Sequence, residues 1–131
     1  CRDYAAQLCL PTVLDYWRSV GTHAVRSKMS ETTAQAVKVL AQLWHPSLDE
    51  RDLAATGITM APLSMHSPLT LVRLPEPLCG NGGGTCTDVR TSADAKQVQD
   101  FLFANGVECP IKCINGVLYV RISSHIYNRM E

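Results

Sequence analysis

No charge of either sign prevails in this chain, whose 131 residues carry 12 Lys and Arg against 12 Asp and Glu. Without a net field or a run of like charges, the chain has nothing to draw nucleic acid or an anionic lipid surface to it. Long apolar runs are also missing. None approaches the roughly 20 residues that cross a bilayer, and no charged stretch followed by an apolar core opens the sequence as a secretion signal. Cys-x-x-Cys pairs and spaced histidine pairs are absent, so a metal site is not expected. What is there is ordinary for a globular protein, 46% hydrophobic and 18% charged, and long enough for one domain with a modest core. The expectation is a soluble, cytoplasmic chain.

Six cysteines invite a disulfide reading. Cys109 and Cys113 lie four apart on one extended segment, roughly 13 Å at ~3.3 Å per residue, which is beyond bridging distance. They read as core thiols. Cys79 and Cys86 bracket a glycine-rich loop and could meet, but no secretion signal or dense cysteine framework supports a bridge, and free thiols in a reducing compartment are the reading. The loop itself, Gly80-Asn81-Gly82-Gly83-Gly84-Thr85, lacks the Lys-Ser or Lys-Thr of a phosphate cradle and reads as mobile surface.

Helical spacing of Cys9, Leu10, Val13, Leu14, Trp17 and Val20 predicts a first helix from Ala6, stopped by Gly21, with Pro11 kinking it or starting its second half. A second stripe runs through Val25, Met29, Ala36, Val37, Leu40, Ala41 and Trp44, with Pro46 just beyond. Residues 47–67 show no clear period, 68–74 read as a short strand, and 75–91 as a loop. Ser92 is expected to cap a third helix that turns Ala95, Val98, Phe101 and Leu102 inward and ends at Asn105-Gly106.

Segments 107–114 and 117–123 flank Asn115-Gly116, the strongest short hairpin signal, and a two-residue turn fixes their register. Counting outward, Cys113 faces Leu118, Ile111 faces Val120 and Cys109 faces Ile122, so one side is apolar and belongs to the core. The other carries Ile114 with Val117, Lys112 with Tyr119, Pro110 with Arg121 and Glu108 with Ser123. Arg121 thus interrupts an apolar strand. In that setting its planar guanidinium is expected to be buried or half-buried and to need an anionic partner, for which a carboxylate is the bidentate match. An ion pair with Glu108 and capture of a ligand carboxylate are equally compatible with this pattern. His125, at the strand end, reads as a hydrogen-bonded structural histidine rather than a catalytic one. Asn128-Arg129-Met130-Glu131 has the spacing of a helix-starting box, which suggests a segment continuing into a further helix.

Arg2-Asp3-Tyr4-Ala5-Ala6 with Leu10-Pro11 and Asp15-Tyr16-Trp17-Arg18, then Val72-Arg73-Leu74-Pro75, and finally Tyr119-Val120-Arg121-Ile122-Ser123 with Tyr127-Asn128 resemble the class V aminotransferase family. The match looks closest to its isopenicillin N epimerase-like branch, near cysteine desulfhydrases, cysteine desulfurases and selenocysteine lyases. The likeness is spread from Arg2 to Asn128. Its end motif is the most specific part, and the middle, including the glycine loop, matches poorly. The resemblance implies a pyridoxal 5'-phosphate enzyme of fold type I acting as a homodimer, with this chain its carboxyl-terminal segment. Residues 1–46 would form a helical connection and 47–131 a small α+β domain. It also implies that Arg121 grips the α-carboxylate of an amino-acid substrate. Family members carry a phosphate-reaching threonine where this chain has Cys1, and a thiol is the weaker hydrogen-bonding group there. Lys28, Lys38, Lys96 and Lys112 do not sit in the family's Schiff-base motif, so the cofactor lysine is expected in a large domain upstream. The architecture expected is α+β: two long helices, then about three antiparallel strands with a helix packed on their apolar side. A rival reading is a free-standing module that binds carboxylates or peptide C-termini without catalysis.

Overall fold

Gly21 sets the first corner. It adopts a left-handed conformation (φ 81°), closes helix α1 (Ala5–Val20) with an N–H bond to the Arg18 carbonyl, and leads directly into α2 (Thr22–Trp44). The structure is a computed structural model that describes residues 4–46, 53, 57–75 and 89–130. Cys1, the glycine loop and Cys79 and Cys86 fall outside the described residues. Helix α1 runs unbroken through Pro11, forgoing the bond that residue's missing N–H would give.

Strand β1 (Leu69–Arg73), helix α3 (Ser92–Ala104) and strands β2 (Ile111–Ile114) and β3 (Val117–Ser123) complete the chain. The sheet is antiparallel with order β1-β3-β2, so β3 is central. This is the expected α+β architecture of three helices and a small three-stranded sheet. Asn115 (φ 49°) and Gly116 (φ 76°) make the turn between β2 and β3 with both backbones left-handed. The register is the one the turn dictates: Cys113 opposite Leu118, Ile111 opposite Val120.

Alternation along the strands then divides the sheet. Val72, Ile111, Leu118 and Val120 point to one side and are buried against Val37 and Ala41 of α2 and Ala95 of α3, with Cys109, Cys113 and Ile122 packed beside them. Both cysteines are free thiols. The buried α2 positions Val25, Thr33, Val37 and Ala41 recur at helical spacing on one face.

Four expectations are corrected. Strand β2 begins at Ile111 rather than 107, because Pro110 has no N–H for the ladder; only its carbonyl takes part, accepting from Arg121 N (2.9 Å). Phe101 is 66% exposed, since the α3 stripe that meets the sheet is Ala95, Val98 and Leu102. Residues 57–67 are less irregular than their composition suggests: Thr59 bridges Val72, and Leu63–Met65 form a short 3-10 turn. Beyond the sheet, the Asn128 side-chain oxygen accepts from His125 N (2.6 Å). Finally, the cap of α3 is Thr91 rather than Ser92.

That cap is reciprocal. Thr91 Oγ1 accepts from Asp94 N, while Thr91 N donates to the Asp94 carboxylate (2.7 Å). The Thr91 hydroxyl, followed by its backbone N–H, holds the Asp94 carboxyl below the ordinary aspartate range. A carboxyl lowered by folding contributes stability that is complete above its unfolded pKa and lost as pH falls through its folded one. Acidification through that window should therefore fray the start of α3 first, read as faster amide exchange at residues 92–95. Thr91→Ala should cost about 1 kcal/mol at neutral pH and weaken that acid dependence, since the backbone N–H of residue 91 still donates to Asp94.

Candidate functional site on the outward sheet face

The side of the sheet away from the helices has no layer over it among the described residues. Pairing places Leu69 beside Ser123, Leu71 beside Arg121, and Arg73, Tyr119 and Lys112 in one row across all three strands. Arg121 therefore projects from the middle of the central strand, and its side chain is exposed. This corrects the assumption of a buried or half-buried guanidinium: water meets its needs in this chain, and an anion becomes obligatory only where something covers the face. Among the described residues Arg121 makes no ion pair and no side-chain hydrogen bond, with Glu108 or any other acid. The Glu108 pairing is thereby set aside.

One outward step beyond Arg121, Ser123 enters an open depression of about 510 Å³ bounded by Ser67, Pro68, Leu69, His125 and Tyr127. Its base is fixed by Ser124, a buried residue at the first position past β3. Ser124 Oγ donates to the Met29 carbonyl (2.5 Å) and so accepts from Thr33 Oγ1 (2.7 Å), while Ser124 N donates to Pro68 O (2.8 Å). This network ties the end of the central strand to α2 on one side and to the entry of β1 on the other. Its sequence signal was a pair of polar residues at inward positions, Thr33 on an apolar helix face and Ser124 in step with Val120 and Ile122. Such residues need partners when buried.

The chain then turns through 125–128, where the His125 and Tyr127 rings stack at 4.6 Å and 26°. The His125 ring is exposed and held by that stack, while its backbone N–H takes the Asn128 bond, so the expected hydrogen-bonded structural histidine is not what forms.

No family model, curated protein or solved structure matches this chain.

A second open hollow, about 560 Å³, lies along one face of α2 beside Thr22, His23 and Arg26. It shares no residue with the sheet face. Among the described residues no three His, Cys, Asp or Glu side chains gather as a metal site would require, and no helix is long and apolar enough to cross a membrane.

The fit to pyridoxal phosphate can be judged from the side chains present. That cofactor needs a lysine amine within a ring-sized slot and donors for its phosphate. Neither hollow is lined by a lysine. Lys96 is paired with Asp100 on the exposed side of α3, and Lys28 and Lys112 are exposed on α2 and β2. Cys1 lies outside the described residues. The described part of the chain does not form a cofactor cage. It does present an exposed, unpaired guanidinium at Arg121.

Proposed function

We propose that this chain is the carboxyl-terminal segment of a cytoplasmic, dimeric pyridoxal-phosphate enzyme acting on an amino acid, with Arg121 holding the substrate α-carboxylate. The observation that carries the reading is Arg121 itself, exposed on the central strand with no counter-ion among the described residues. Two N–H groups of its fork match the two carboxylate oxygens, and a strand held by neighbours on both edges fixes the fork's origin. Holding that carboxylate orients the rest of the amino acid, which is the protein's share of the work; the cofactor, bound by other polypeptide, supplies the electron sink. Epimerisation, Cβ–S cleavage and sulfur transfer all need this grip, so Arg121 is compatible with each.

The first helix favours a larger assembly over a free-standing module. Helix α1 buries no residue, and its stripe leaves Leu10 55%, Val13 45% and Leu14 47% exposed. A stripe of that kind has value only when another surface covers it. In this proposal that surface is the large domain or the partner subunit, which also furnishes the opposite wall of the Arg121 cleft.

Mixing the chain with pyridoxal phosphate should give only the spectrum of free cofactor, with no band from stoichiometric attachment to a lysine. A stable one-to-one band would overturn the assignment of the cofactor site to other polypeptide. Tight binding of simple carboxylates by the chain alone, indifferent to the amine, would favour the binding module instead.

A further inference from the structure

The geometry points to a substrate that carries a second anionic group, received by Lys112 while Arg121 holds the first; this deepens, and rests on, the carboxylate-grip reading above. Lys112 and Arg121 leave the same face of adjacent strands. Lys112 sits directly opposite Tyr119, and Arg121 lies two residues further along β3, so the two cations are diagonal neighbours. In an antiparallel pair such positions stand roughly 7–8 Å apart at the backbone, with the long side chains free to converge or spread.

Three observations make Lys112 the partner. It is exposed, and among the described residues it has no ion pair or side-chain hydrogen bond. Arg73, on the other side of Tyr119, already has an interaction partner and is not needed. Tyr119, half-buried, stands directly opposite Lys112 and two residues before Arg121 on the same face, so an amphipathic aromatic residue adjoins both cations. Two like charges left side by side on one sheet face repel, which is a cost that a dianionic ligand removes and a single carboxylate removes only in part. A lysine suits the second group because its ammonium is a point charge that accepts varied approach, whereas the α-carboxylate needs the planar fork. The substrate class is therefore an amino acid with an acidic side chain or an equivalent distal anion.

The test is inhibition of the assembled enzyme by glutarate and by butyrate, read as competition with the amino-acid substrate. Glutarate should bind about fivefold tighter than butyrate, the order expected of one added exposed charge contact. Lys112→Ala should bring glutarate down to the butyrate level and leave butyrate unchanged, and Lys28→Ala should alter neither. Equal affinities for the two acids, or an equal loss of both in Lys112→Ala, would overturn the second-anion site while leaving the Arg121 grip standing. If neither acid competes with the substrate, or Arg121→Ala leaves butyrate inhibition intact, the grip itself fails and this inference with it.

Discussion

Arg121→Ala in the assembled enzyme should raise the amino-acid concentration needed for half-maximal rate about 100-fold while cofactor occupancy stays at the wild-type level. The size follows from removing a charge-assisted, two-point bond to a carboxylate, about 3 kcal/mol once water is excluded from the cleft. The selectivity follows from position. Arg121 stands on the outward face of β3, and only its backbone N–H, bonded to Pro110 O at 2.9 Å, contributes to the sheet. Truncating the exposed side chain therefore leaves folding stability within about 0.5 kcal/mol. Arg121→Lys should recover a minor part of the lost affinity, because an ammonium keeps the charge but not the fork. Initial rates across substrate concentrations, together with cofactor absorbance per subunit, decide it. An unchanged substrate requirement, or cofactor lost in parallel with affinity, would remove Arg121 from the role assigned to it.

The last hairpin was the most legible part of the molecule, for a physical reason. Asn115-Gly116 admits one turn geometry, the turn admits one register, and the register assigns every side chain from Ile111 to Ser123 to a face before any tertiary contact is known. The two long helices were legible for the related reason that a 3.6-residue period survives over many turns. What periodicity could not reveal was which face finds a partner. The stripe of α1 is as regular as that of α2, yet α2 buries Val25, Thr33, Val37 and Ala41 while α1 buries nothing. Exposure of Phe101 and of the Arg121 side chain has the same origin, since a pattern shows that a face is apolar or charged but not what lies across from it. Short-range competition accounts for the shifted ends: Thr91 and Ser92 are both acceptable caps, and only Thr91 stands three residues before an acid that can return the bond. The segment around Ile58 was hidden for a different reason. Its order comes from a single bridge to β1, which leaves no repeating mark in the sequence.

That segment supplies the largest expected effect on stability. Ile58 is 2% exposed and belongs to the central cluster with Val72 and Val37, each 0% exposed. Its carbonyl accepts from Arg73 N (2.7 Å), and two residues on Met60 N donates to Leu71 O (3.4 Å), so 58–60 runs along the outer edge of β1 and covers backbone groups that would otherwise be open. Ile58→Ala keeps those backbone bonds and removes only the side chain. The cost should therefore be the transfer and cavity term of a buried isoleucine, about 2–5 kcal/mol, a large share of the roughly 5–15 kcal/mol that holds a typical domain together. Met60→Ala is the matched control: same segment, same kind of bridge, but a side chain 53% exposed, so its cost should stay within about 0.5 kcal/mol. Urea unfolding of the two variants separates the cases, with the midpoint falling far for Ile58→Ala and little for Met60→Ala. Equal small losses in both would mean that 58–60 rests on the sheet through its backbone alone, and that the core closes beneath β1 without it.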